Sequence, residues 1–152
     1  TIPRCVKIFG PGNSWVTEAK QQVSSDPQGA AIDMPAGPSE VLVIADATAD
    51  AQSIAWDLLS QAEHGPDSQV VLLTDSEALA EAVIGQIREL APESPRAAIL
   101  EQSLEAARII IVRNIDEAIE ISNAYAPEHL ILVTADAPAL AERVRNAGSV
   151  FV

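Results

Sequence analysis

Two runs near the middle of the chain, Val41-Leu42-Val43-Ile44-Ala45 and Gln69-Val70-Val71-Leu72-Leu73-Thr74, are apolar almost throughout instead of at alternate positions. A strand that is apolar on both faces belongs in the interior of a sheet covered on both sides. Between and after these runs the period changes. Ile54, Leu58 and Leu59 mark the apolar side of a helix predicted over Asp50 to His64, and Leu79, Val83, Ile87 and Leu90 recur at helical spacing in a second one from Ser76. Pro92 and Pro95 end it.

The same reading predicts strands at Cys5 to Phe9, Ala30 to Met34, Arg108 to Val112, Leu130 to Thr134 and Ser149 to Val152. Helices are predicted at Ser14 to Val23, Arg96 to Ala107, Asp116 to Tyr125 and Pro138 to Asn146, with Ser14 as an N-cap and Pro138 in a first turn. Strands alternate with helices from end to end. That alternation implies an α/β fold: a layered, Rossmann-like domain with a mostly parallel sheet flanked by helices, expected as one domain over residues 1–152.

Composition sharpens this picture. Hydrophobic residues make up 48 % of the chain but aromatics only 3 %, so the core is built from Ala, Val, Ile and Leu. A net charge of -13 repels phosphate backbones and anionic lipid, which excludes nucleic acid and the membrane surface as partners and favours a cationic small molecule. The single cysteine, Cys5, rules out an internal disulfide and is expected as a small buried strand residue. No apolar run approaches the roughly 20 residues of a membrane span and no signal-like start is present, so the expected location is cytoplasmic. The chain starts at Thr1 and stops within an apolar run at Val152, and it is expected to be part of a longer protein.

Four places carry candidate chemistry. Gly10-Pro11-Gly12-Asn13 is a turn between a strand and a helix N-terminus, where free backbone N–H groups can hold an anion, although turn chemistry alone explains it and it lacks a third glycine for a dinucleotide fingerprint. Pro35-Ala36-Gly37-Pro38-Ser39-Glu40 forbids regular structure and presents Ser39 on a loop. Gln61 and His64 lie three apart, so on a helix they share a face and can meet one metal ion. The plainer account of His64 is a helix-terminal histidine with Gly65 as C-cap.

Glu128-His129 follows Pro127, and an imidazole there can act as a general base with a carboxylate beside it for a second proton. On a strand the two would face opposite ways, so a bend at Pro127 has to bring them together. There is also an objection from topology. In a parallel sheet ligands gather beyond the carboxyl ends of the strands, whereas His129 precedes a strand and falls on the opposite edge.

Taken in order, Phe9-Gly10-Pro11-Gly12-Asn13, Asp33-Met34-Pro35-Ala36-Gly37-Pro38-Ser39-Glu40, Ala55 to Gly65 and Tyr125-Ala126-Pro127-Glu128-His129-Leu130 form four blocks in which the chain resembles the histidinol dehydrogenase family over its whole length. The resemblance implies a zinc-dependent, NAD-linked enzyme of histidine biosynthesis, oxidising L-histidinol through L-histidinaldehyde to L-histidine in two hydride transfers. It implies Gln61 and His64 as zinc ligands that present the metal to the substrate. It implies His129 as the base that takes the alcohol proton and Glu128 as the residue that activates water. Ser39 is implied as a substrate contact, Asn13 as a residue near NAD, and the enzyme as a homodimer.

Two further zinc ligands of the family, an Asp and a His, are implied beyond Val152. Two donors rarely retain zinc, so the 152-residue chain by itself is expected to be metal-free and inactive. Two rival readings stand beside this one: a non-catalytic ligand-binding α/β module, and a metal-dependent hydrolase using Glu128 without NAD.

Overall fold

The computed structural model describes residues 3, 5–10, 14–33 and 39–152. The backbone falls into two compact units, Thr1–Pro38 and Ser39–Val152, where the alternation of elements led us to expect one. The second unit holds a five-stranded sheet made of β3 (Glu40–Ala45), β4 (Gln69–Thr74), β5 (Arg108–Ile111), β6 (His129–Val133) and β7 (Ser149–Phe151), in the order β5-β4-β3-β6-β7. Every pairing is parallel. The strand order reverses between β3 and β6, as in a doubly wound Rossmann-like sheet, so the expected fold class holds.

The continuous apolar runs explain why β3 and β4 lie inside. Val41, Val43 and Ala45 face one way, against Ile54, Leu58 and Leu59 of α2 (Ala51–Ala62), Leu79 and Val83 of α3 (Glu77–Leu90) and Leu100 of α4 (Ala97–Glu105). Leu42 and Ile44 face the other way, against Ala118 and Ile119 of α5 (Ile115–Tyr125) and Ala137 and Leu140 of α6 (Ala137–Ala141). Each fully buried Leu or Ile in these layers contributes on the order of 2 kcal/mol. Helix starts are set locally: Asp50, Ser76 and Asn114 accept from Ser53, Leu79 and Glu117 N–H respectively, each satisfying an otherwise orphaned donor.

One predicted helix is cut short. The pattern predicts a helix from Pro138 to Asn146, but α6 ends at Ala141. The buried side chain of Asn123 on α5 is the reason. Its Oδ1 accepts from Arg145 N at 2.7 Å and Asn146 N at 3.2 Å, while its Nδ2 donates to the Arg143 carbonyl at 3.2 Å. These bonds replace the helical ones and steer the chain toward β7.

The first unit pairs β1 (Lys7–Ile8) with β2 (Ala31–Ile32) in parallel, joined through α1 (Ser14–Ser25). Both strands are far shorter than predicted, and Cys5 is exposed instead of buried because it precedes β1. Lys20 is buried on α1 and its ammonium has two partners: it donates to the Gly10 carbonyl at 2.5 Å and to Asp33 at 2.7 Å, while Asp33 also accepts from Gly10 N. This pairing pins Gly10, at φ 140°, to the end of β2.

Candidate functional site

Because all five strands of the main sheet run the same way, Glu40, Gln69, Arg108, His129 and Ser149 begin them along one edge. α2 returns from the opposite edge and delivers Gln61 and His64 to this one. The crevice beyond the carboxyl ends of β3 and β6, where a sheet of this order usually binds its ligand, is bridged instead: Asp46 N donates to the Val133 carbonyl and the Asp46 carboxylate accepts from Ala135 N. His129 stands at the start of β6, on the edge opposite the carboxyl ends, as its place before a strand implied. Ser39, Gln61, His64, Glu128 and His129 all collect at the amino edge.

The turn into β6 makes the Glu128–His129 pair converge. α5 ends on Ala126 in the left-handed region at φ 58°, Pro127 follows, and β6 starts only at His129. Glu128 is thus freed from strand alternation, and its Oε2 lies 3.7 Å from His129 Nδ1. That oxygen accepts from Ser39 Oγ at 3.3 Å and Glu40 N at 3.2 Å, leaving Oε1 without a protein partner among the described residues. His129 Nδ1 sits 3.2 Å from the Glu40 carbonyl. A carbonyl only accepts, so Nδ1 carries the proton and Nε2 presents its lone pair. The Phe151 ring stacks on the imidazole with centroids 6.0 Å apart.

Gln61 and His64 form the second group. α2 stops at Ala62 with Glu63 as its C-cap, so His64 lies just past the helix and not in its last turn. Gly65 does not enter the left-handed region, which removes the capping account of this stretch. Gln61 is buried, and its amide Nε2 donates to His64 Nδ1 at 3.1 Å. That bond holds the two side chains side by side, and a metal there would take the amide oxygen and an imidazole lone pair in its place. Among the described residues no group of three or more His, Cys, Asp and Glu is gathered for one. Ser39 ties the start of β3 to its neighbours: its carbonyl accepts from Gln69 N of β4 and its hydroxyl meets Glu128. Asn13 lies outside the described residues.

One turn before Gln61 on the same side of α2 is Asp57, a position that sequence reasoning passed over. Burial holds its carboxyl above the usual aspartate range, and no side-chain partner offsets this among the described residues. A raised pKa in the folded state means that ionised Asp57 opposes folding. Asp57→Asn is expected to stabilise the fold at neutral pH, and the gain should fade as pH falls toward the ordinary value of 3.8. Denaturant midpoints of the two proteins across that window check the sign.

The electrostatics of this edge favour cations. α2 and α5 both end here, and helix C-termini carry fractional negative charge from unpaired carbonyls. A carboxyl-edge site would instead meet helix N-termini, which suit phosphate. Glu40, Glu63 and Glu128 add to the negative character, in a chain of net charge -13.

The fold and site together define an α/β domain with a carboxylate–imidazole pair and an amide–imidazole pair on the amino edge of its sheet. The family model described as histidinol dehydrogenase matches residues 1–152. The chain belongs to the histidinol dehydrogenase family. It is 56 % identical over its whole length to the histidinol dehydrogenase of Pectobacterium atrosepticum and 57 % identical to that of Colwellia psychrerythraea. The crystal structure of histidinol dehydrogenase from Elizabethkingia anophelis superposes with a TM-score of 0.94 at 50 % identity, covering 99 % of this chain. The chain spans 34 % to 35 % of the length of these relatives.

Glu40, Phe151 and Gly148 were missed from sequence. Glu40 acts through its backbone carbonyl, which no side-chain pattern reveals. Phe151 offered a faint signal as one of only two phenylalanines in the chain.

Proposed function

We propose that this chain is the part of a zinc-dependent, NAD-linked enzyme, oxidising L-histidinol through L-histidinaldehyde to L-histidine, that carries the acid–base pair and two of the metal ligands. The observation that carries the reading is the fixed tautomer of His129: its Nδ1 is tied to the Glu40 carbonyl, so Nε2 is the free base. In this reading Nε2 takes the alcohol proton as hydride leaves for NAD. Oε1 of Glu128, the oxygen not held by Ser39 and Glu40, takes a proton from the water that adds to the aldehyde.

Gln61 and His64 hold the zinc, supported by the hydrogen bond that places their side chains together and by the cation-favouring helix ends. When bound, zinc supplies a Lewis acid that fixes the substrate's imidazole and amine. Ser39 contacts substrate from its place against Glu128, and Asn13 lies near NAD. The same reading makes the enzyme a cytoplasmic homodimer.

The test is NADH formation from histidinol by the full-length protein, with two NADH expected per histidinol consumed. No NADH from a folded, zinc-loaded protein would overturn the dehydrogenase reading. Residues 1–152 alone are expected to give no NADH and to lose zinc on dialysis.

A further inference from the structure

We propose that Phe151 is a positioning residue for His129, holding the plane of the imidazole so that Nε2 keeps one direction; this rests on the reading of His129 as the base. A single hydrogen bond from Nδ1 to the Glu40 carbonyl fixes where the ring is tethered, yet bonds of 3.2 Å tolerate wide tilting about the donor. A second restraint is needed to define the plane.

The sheet supplies it. His129 pairs with Ser149 and Ile131 with Phe151, so Phe151 is the diagonal neighbour of His129 on the same face of the adjacent strand, within reach of an aromatic ring. The two rings lie 27° from coplanar with centroids 6.0 Å apart, inside the range of favourable aromatic stacking. Within the described residues Phe151 packs on the imidazole and belongs to neither core cluster.

The experiment uses the full-length, zinc-loaded enzyme with Phe151→Ala, Phe151→Leu, Phe151→Tyr and His129→Gln, and the double variant Phe151→Ala/His129→Gln. The Ala and Leu variants are expected to lose about tenfold in kcat with KM for histidinol within about twofold. Melting temperature and zinc content should stay at wild-type values, and the Tyr variant should keep at least roughly half of kcat, since it retains the ring. In the double variant Phe151→Ala should add nothing to the loss from His129→Gln, because its effect passes through that imidazole.

Wild-type kcat in the Ala and Leu variants, or a Tyr variant as slow as Ala, would overturn the proposal while leaving the base assignment intact. So would a Leu variant as active as Tyr, since bulk alone would then suffice. If His129→Gln itself keeps full activity, the base assignment fails and this role fails with it.

Discussion

His129→Gln in the full-length enzyme is expected to lower kcat for NADH formation from histidinol by about a thousandfold, with little change in folding. Loss of a general base costs roughly 10²- to 10⁴-fold. The fold should tolerate the change because His129 is only partly buried and a Gln amide can replace Nδ1–H as donor to the Glu40 carbonyl. Glu128→Gln is the informative partner. Both bonds that anchor Glu128 fall on Oε2, so a Gln with its amide oxygen there keeps Ser39 and Glu40 N satisfied. What it loses is the ability of the other oxygen to take a proton from water. Glu128→Gln should therefore oxidise supplied histidinaldehyde far more poorly than it oxidises histidinol, whereas His129→Gln should fail on histidinol. Stopped-flow NADH traces with each substrate separate the two roles. Equal losses on both substrates in both variants would show that the pair works as one unit without divided roles.

Much of the fold could be read from residue patterns because its determinants are local. The unbroken apolar runs at Val41 to Ala45 and Gln69 to Thr74 place β3 and β4 inside whatever the rest of the chain does. The end of α6 could not be read, because it is decided by Asn123, some twenty residues away in sequence, capturing Arg145 and Asn146 N–H groups that a helix would otherwise use. The short β1 and the exposed Cys5 have a similar origin: pairing with a two-residue partner sets the strand's length, and hydropathy does not report it.

The site divides along the same line. Glu128, His129, Gln61 and His64 were visible as residue types at telling spacings, and the place of His129 before a strand already put it on the amino edge. A rule drawn from phosphate-binding sheets pointed to the carboxyl edge. The structure reverses it at the same strand pair, β3 and β6: the carboxyl end is bridged by Asp46, and the amino end gathers the C-termini of α2 and α5. The sign of the helix ends gives the physical reason. In the proposed reading a site for a metal ion and an amine would gain from partial negative charge, which the helix C-termini at the amino edge supply.

Gly148→Ala is expected to damage both stability and activity through one contact. Gly148 N donates to the Pro127 carbonyl at 2.9 Å and Ser149 N to the Glu128 carbonyl at 2.8 Å, so the start of β7 lies flat against the main chain of the acid–base turn. A Cβ on Gly148 would stand 2.6 Å from the Glu128 carbonyl oxygen and 3.4 Å from its Cα. The obstructing atoms are backbone and cannot swing aside as a side-chain end would. Relief requires either that β7 draw back, weakening its pairing with β6, or that Glu128 shift from Ser39 and Glu40. Overpacking of this kind costs about 1–3 kcal/mol, and a displacement near 1 Å at a catalytic group costs on the order of a hundredfold in rate. Gly85→Ala is the control: Gly85 sits within α3 with no atom near the added Cβ, so that change should stabilise by up to about 1 kcal/mol and leave kcat alone. Melting curves and kcat measured on both variants test the contrast. A Gly148→Ala enzyme that melts and turns over like wild type would mean that this close approach does not hold Glu128 in place.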